Sequence, residues 1–186
     1  MTLSTERLLL RPWEDSDAEN CYLYAKDPDV GPRAGWPAHT SLEESREILK
    51  RVLEVPETYA ICLKTDGKAI GSVSLHMHSV SDLTESEDEC ELGYWLGKPF
   101  WGRGIMPEAA GELLRHAFLD LNMKKVWCAY YDGNAQSKRV QEKLGFQYQW
   151  TTMDVDVPAM HTKRVGHVNA MTREEWERHT GGKENG

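Results

Sequence analysis

The spacing of apolar positions changes along the chain, and each change marks an element. Residues 5–13 (TERLLLRPW) read as a first strand that Pro12 ends. Ser16 and Asp17 are placed to cap a helix over 17–26, which stops at Asp27-Pro28. The Gly- and Pro-dense stretch DPDVGPRAGWPAHT predicts an irregular loop. Ser41 and Glu44 form a capping box, opening a helix that runs to about Leu53. Residues 59–65 and 68–78 are strand-like and flank Asp66-Gly67, a hairpin signal. A polar, acidic loop over 79–88 leads to a strand over 89–96. After a bend at Gly97-Lys98-Pro99, a helix starts near Gly104. Its Met106, Ala109, Ala110, Leu113, Leu114, Ala117, Phe118 and Leu121 keep the three-four spacing of one apolar face. Residues 126–131 are apolar throughout, the pattern of a strand buried on both sides. Asn134 caps a helix ending at Leu144, with Gly145 as its stop. Two strands follow around a turn near Pro158. A second capping box at Thr172 and Glu175 opens a helix to about His179, and 181–186 reads as a frayed tail.

This order gives an α+β (mixed α/β) layout, a largely antiparallel sheet with helices on its faces. No repeat or linker divides residues 1–186, so one domain is expected. The longest apolar run is too short for a membrane span of about 20 residues, and the N-terminal stretch has no apolar signal region. The formal net charge of −8 argues against a nucleic-acid partner. Cys21, Cys62, Cys90 and Cys128 form no close pair, which fits reduced core thiols and a cytoplasmic setting. His76 and His78 share a strand face without a nearby third ligand, so no metal is expected.

The segment from Glu91 to Ala109 (ELGYWLGKPFWGRGIMPEA) carries the strongest chemical signal. A strand enters a glycine-containing turn, and the turn opens an amphipathic helix. Such a turn aims backbone N–H groups at one point and adds the positive end of the helix dipole, which suits a phosphate. Gly102 and Gly104 would let the backbone approach an anion closely. A dinucleotide fingerprint is excluded, because Pro107 stands where its third glycine belongs, and no Gly-Lys-Ser/Thr of a P-loop is present.

A second segment, DGNAQSKRVQEKLGF over 132–146, follows the apolar strand directly. With it the chain resembles the GNAT superfamily of acetyl-CoA-dependent N-acetyltransferases, and more narrowly the RimJ/RimL-type branch. TERLLLRPW, GWPAHTSLEES, IGSVSL, GYWLGKPFWGRGIMPEA, NAQSKRVQEKLGF and TREEW match in family order over nearly the whole chain. The resemblance implies a three-layer GNAT-like fold: a mostly antiparallel sheet of about seven strands, splayed into a V between 89–96 and 125–131. It implies that acetyl-CoA is the co-substrate. The backbone of Tyr94, Trp95 and Leu96 would pair with the pantetheine arm, and the amides of Trp101, Gly102, Arg103, Gly104, Ile105 and Met106 would hold the pyrophosphate. Asn134 and Ser137 would also reach the cofactor. The broader family pattern places Gln or Arg at position 99, where this chain has Pro99.

The implied reaction is attack of a primary amine on the thioester. Ser137 is the expected group for protonating the departing thiolate, since position 141, where many members have tyrosine, holds Gln141. Glu91 is the expected base, directly or through water, because it shares a strand face with Gly93 and Trp95; Glu89 is the same-face alternate. Asp82, Glu85, Glu87 and Asp88 read as a solvated loop that also attracts a cation. Arg103, Lys138 and Arg139 are expected phosphate neighbours or solvated cations. Trp36, His39 and the hairpin over 150–168 would wall the acceptor groove. Three functions follow: acetylation of a protein or peptide N-terminus, acetylation of a small amine, or a non-catalytic CoA-binding module. The protein would be a monomer or homodimer.

Overall fold

The computed structural model describes residues 1–181; the expected tail beyond Gly181 lies outside the described residues. Its strands are β1 (Leu3–Ser4), β2 (Leu8–Pro12), β3 (Thr58–Leu63), β4 (Ala69–Met77), β5 (Glu89–Leu96), β6 (Lys125–Tyr131), β7 (Gln147–Val157) and β8 (Thr162–Thr172). The helices are α1 (Ala18–Ala25), α2 (Gly31–Ala34), α3 (Leu42–Ile48), α4 (Ile105–Arg115), α5 (Ala135–Leu144) and α6 (Arg173–Gly181). Among the described residues, no helix is long and apolar enough to cross a membrane.

The strands form one sheet in the order β1-β2-β3-β4-β5-β6-β8-β7, with every pair antiparallel except β5 and β6. The count is eight rather than seven because Leu3–Ser4, ahead of the expected first strand, add a short strand that pairs with β2, and the expected strand itself begins only at Leu8. Thr5 donates its N–H to the Leu8 carbonyl, and the Arg7 N–H turns away to Glu108 on α4. Helices cover both faces. On one, Leu113, Leu114 and Phe118 pack against Leu8, Leu10, Ile61 and Leu92. Fully burying such a side chain contributes about 1.5–3 kcal/mol. On the other, Ala18, Cys21, Ala25, Leu49 and Leu53 pack over Trp13, Ala60 and Cys62. All four cysteines are free and buried.

Local signals hold where nothing distant competes. Gly67 closes the β3–β4 hairpin at a φ of 71°, Ser41 Oγ accepts the Glu44 N–H, and Thr172 with Glu175 caps α6. Two differ. Asp17 does not cap α1: its carboxylate accepts the Arg11 guanidinium at 2.7 and 2.8 Å and the Glu14 N–H, and a tight turn over Asp15–Asp17 leads into the helix. Glu44 reaches past Ser41 to the N–H and hydroxyl of Thr40.

The β5–β6 pairing positions the site. It covers only Glu89↔Lys125, Cys90↔Val126 and Glu91↔Trp127, after which the two strands part. The splay corrects the expectation that 126–131 is buried on both sides: Val126, Trp127 and Cys128 are buried, whereas Ala129 is exposed and Tyr130 and Tyr131 are half-buried.

The N-terminal hairpin holds the start of α4. Arg7 Nε binds Glu108 Oε2 at 2.6 Å, Thr5 Oγ1 donates to Glu108 Oε1, and Arg7 Nη1 donates to the Arg103 carbonyl at 3.0 Å. Burial raises the Glu108 carboxyl, but the hydrogen bonds from Thr5 and Arg7 outweigh it and hold it below the usual carboxylate range. The stability that this lowering adds is complete above the ordinary carboxylate range and is lost as pH falls through the lowered folded value. Glu108→Gln should therefore cost about 1–3 kcal/mol at neutral pH, with a smaller difference at pH ~3. Urea unfolding at the two pH values measures it, and an equal difference at both would contradict this role.

Candidate active site

The V between β5 and β6 leaves one edge of β5 beyond Glu91 without a strand partner. Its other edge stays paired to β4 through Gly71↔Leu96. At the open end, the chain turns through a short 3₁₀ segment (Lys98–Phe100) into Trp101-Gly102-Arg103-Gly104 and then α4. Gly102 and Gly104 sit at φ of 73° and 74°, the left-handed region that favours glycine. Trp101 Nε1 donates to the Leu96 carbonyl at 2.7 Å, tying the turn to the strand end. Among the described residues, no acceptor meets the amides of Gly102, Arg103, Gly104, Ile105 and Met106. Unmatched donors at a helix start, with Pro107 lacking an N–H, make an anion cradle.

Two cavities meet in the V. The smaller, about 320 Å³, lies along Tyr94, Trp95 and Leu96 and the 101–107 turn, and is flanked by Gln136, Arg139, Val140 and Lys143 of α5. The larger, about 810 Å³, opens on the other side over Glu91, Gly93 and Trp95, with Trp36, His39, Asp82, Tyr130, Tyr131 and Trp150 in its walls. Arg33, Ala34, Tyr94, Trp95, Asn134 and Ser137 line both. This junction follows from the period of two along β5. Glu91, Gly93 and Trp95 face the large cavity, while Cys90, Leu92 and Leu96 face α4 and the Tyr94 ring packs with them.

Helix α2, unforeseen in the loop over 27–40, crosses the mouth of the V. The Arg33 carbonyl accepts from Asn134 Nδ2 at 3.1 Å, Arg33 Nη1 donates to Gln136 Oε1 at 3.0 Å, and Arg164 Nη1 donates to the Pro32 carbonyl. Asn134 Oδ1 meanwhile accepts the Ser137 N–H at 3.2 Å, so the residue caps α5 as the sequence indicates and also holds α2.

Ser137 and Glu91 occupy different sides of the junction. Ser137 Oγ lies 2.8 Å from the Tyr94 hydroxyl and 3.3 Å from Gln141 Nε2. Glu91 Oε2 accepts from Ser81 Oγ at 2.9 Å and from the Asp82 N–H at 3.2 Å, which turns its carboxylate along the cavity rim. Glu89 is engaged elsewhere, accepting from Trp127 Nε1 and Thr84 Oγ1. Of the acidic stretch, Asp82 and Glu91 line the large cavity, while Asp88 pairs with Lys124. Burial lowers the His39 imidazole from its ordinary value, with Glu44 opposing, and its Nδ1 lies 2.7 Å from Ser45 Oγ. Among the cations expected near phosphate, Arg139 lines the small cavity, Arg103 lies over the Phe100 ring, and Lys138 faces Glu142. Among the described residues, no group of His, Cys, Asp or Glu is arranged to hold a metal; His76 lies against Ser74 instead.

Sequence reasoning missed the Tyr94 hydroxyl, Gln141 and Lys143 as site groups. Two of these carry a signal, since Gln141 follows Ser137, and Lys143 follows Arg139, by one helical turn.

A family model described as an acetyltransferase (GNAT) domain matches residues 7–147. The chain belongs to the GNAT acetyltransferase family. It is an acetyltransferase. "Uncharacterized N-acetyltransferase p20" of Bacillus licheniformis is 26% identical over 160 residues, covering 83% of this chain and 87% of that protein. "Putative ribosomal N-acetyltransferase YdaF" of Bacillus subtilis (strain 168) is 33% identical over 113 residues, 60% of this chain and 58% of its own length. A GNAT-family acetyltransferase structure from Bacillus anthracis superposes with a TM-score of 0.81 at 22% identity, covering 94% of this chain and 99% of that one. It shares the fold of this acetyltransferase, and the splayed β5–β6 pair is the shape that the resemblance implied.

Asn134 gives the site a separable test. Asn134→Ala should lower stability by about 1 kcal/mol through loss of the cap. Asn134→Asp keeps a cap acceptor but loses the amide bond to the Arg33 carbonyl. It should retain most of the stability while amide exchange in α2 quickens. Equal stability of the alanine variant and the parent would contradict the capping role.

Proposed function

We propose that this acetyltransferase moves the acetyl group of acetyl-CoA onto a primary amine, with a protein or peptide N-terminus as the acceptor. The observation that carries the reading is the meeting of two unlike cavities at Tyr94, Asn134 and Ser137. The small one fits the donor. Five unmatched amides and the α4 N-terminus suit a pyrophosphate, with Arg139 and Lys143 beside them. The open edge of β5 suits an amide-bearing arm, which would add to the strand by backbone hydrogen bonds. The large cavity fits the acceptor. Its Glu91 and Asp82 attract a cation, and its tryptophan and tyrosine walls suit an amine attached to a bulky or extended body. The relative named for ribosomal N-acetylation supports a protein acceptor.

The thioester supplies an activated acetyl group. An ammonium ion must lose a proton before its nitrogen can attack, and Glu91 on the cavity rim takes it, directly or through water. Nitrogen then bonds to the carbonyl carbon. The developing oxyanion would be received by a β5 backbone N–H on the open edge, that of Tyr94, since the Trp95 N–H faces β4. As the C–S bond breaks and sulfur takes the electron pair, Ser137 presents its O–H to the thiolate. The ammonium gives up two protons in all: one ends on the thiol, the other in solvent.

The test is thiol release from acetyl-CoA in the presence of N-terminal peptides and, separately, of small amines. Peptides should be acetylated with the higher kcat/KM, and that rate should rise with pH through an ionisation that Glu91→Gln removes or displaces. General-base groups typically contribute about 10²–10⁴-fold, and the loss should persist at saturating acceptor. Faster turnover of small amines would move the acceptor to that class. Absence of any turnover despite acetyl-CoA binding would leave a CoA-binding module.

A further inference from the structure

Ser137 does not stand alone beneath the V. It belongs to a polar cluster whose hydrogen-bond directions are set by one group that cannot donate. The Ala129 backbone carbonyl accepts from the Gln141 side chain at 3.2 Å, so the nitrogen of that amide must face it. Gln141 Oε1 then points to Asn169, whose Nδ2 donates to it at 2.7 Å. Gln141 is fully buried and Asn169 is buried, so neither amide has solvent as an alternative partner. With one Nε2 hydrogen on Ala129, the other faces Ser137 Oγ at 3.3 Å and the Tyr94 hydroxyl oxygen at 3.5 Å, the serine being the nearer. Gln141 therefore donates to the serine.

The Tyr94 hydroxyl approaches the same oxygen from β5. It lies 2.8 Å from Ser137 Oγ and 3.3 Å from the Ser137 carbonyl, and the shorter contact is the better hydrogen bond. Burial pushes the phenol well above its ordinary value, against the opposing bonds with Ser137 and Gln141, so it keeps its O–H. Either hydroxyl can donate in this contact, and a serine O–H left free for the sulfur requires the phenol to be the donor. A serine oxygen accepts two hydrogen bonds and donates one. With the phenol and the amide both donating, the two acceptor positions are filled from below and the serine O–H turns to the junction of the two cavities, which Ser137 lines on both sides.

We propose that Tyr94 is a positioning residue for acyl transfer: its phenol, with the Gln141 amide, donates into Ser137 Oγ and so aims the serine O–H at the sulfur of the leaving thiol. The inference rests on Ser137 serving the leaving group. Two donors into Oγ also polarise its O–H outward, because hydrogen bonds in a chain strengthen one another. The cluster consumes no proton: Tyr94 and Gln141 keep theirs, and the thiol proton is one released by the amine. The strand tyrosine thus places a phenol beside the sulfur site although position 141 of the helix carries glutamine.

A double-mutant cycle tests the coupling. Acetyl transfer from acetyl-CoA to a primary-amine peptide is followed in single turnover for the parent, Tyr94→Phe, Ser137→Ala and the double variant. Tyr94→Phe should slow the chemical step about tenfold, within the range of couplings between contacting groups, with acetyl-CoA affinity nearly unchanged. In the Ser137→Ala background the same substitution should change the rate less than about twofold. An equal loss in both backgrounds would overturn the positioning role while leaving Ser137 as the leaving-group residue. A parent-like rate in Ser137→Ala would overturn both. Because an unstable Tyr94→Phe could mimic a loss, the acetyl-CoA-induced rise in Tm is measured for each variant. A lost rise in Tyr94→Phe would show that the phenol supports the cofactor groove instead, against the proposal.

Discussion

A strand pair that stops pairing after three residues governs the layout of this molecule. Polar backbone groups left inside a sheet must find partners, and leaving one unmet costs about 1–3 kcal/mol. Beyond Glu91 and Trp127 the sheet cannot supply them, so the V is open to water or to a ligand able to act as a short strand. The surrounding parts serve that opening. The β5 end continues into the glycine turn, α4 presents its positive end there, and α5 closes the far side. Helix α2 crosses the mouth, held by Asn134, Gln136 and Arg164. Across the sheet, Arg7 and Glu108 fix where α4 begins.

The period of two along β5 divides the chemistry. One face of this single strand carries Glu91, Gly93 and Trp95 toward the larger cavity, where Trp95 lies between Trp13 and Trp36 at 6.1 and 5.8 Å. The other carries Tyr94 toward Ser137, Gln141 and Asn169. In the proposed reaction, proton removal from the amine and support of the departing sulfur would fall to opposite sides of one backbone. That backbone itself would lie along the donor. Such an arrangement keeps the reacting groups on rigid elements rather than on loops.

Much of this was legible because the signals are local. The bounds of β5, the Asp66-Gly67 turn and the run of α5 from its Asn134 cap to Leu144 need only neighbouring residues. The departures have distant causes. Glu108, 101 positions away, takes the Arg7 N–H, and the expected first strand begins only at Leu8, with Leu3–Ser4 turned back against it. Arg11 claims the Asp17 carboxylate that would otherwise cap α1. The apolar run 126–131 suggested burial on both sides, and only the splay explains why Ala129 is exposed. Within the site, strand period placed Glu91 on the face of Gly93 and Trp95, but it could not reveal that Ser81 and Asp82 hold one oxygen of that carboxylate. The Tyr94 phenol escaped notice because its partner lies 43 positions away.

The central claim is that the open edge of β5 and the turn at the start of α4 together receive acetyl-CoA. Backbone amide hydrogen exchange with and without saturating acetyl-CoA tests it most directly, residue by residue. The account predicts slowed exchange at Tyr94 and Leu96, whose N–H groups face the open edge, and at Gly102 to Met106, where backbone donors would gain partners, and little change in β1 to β3. Unchanged exchange at both segments under conditions where acetyl-CoA binds would contradict it.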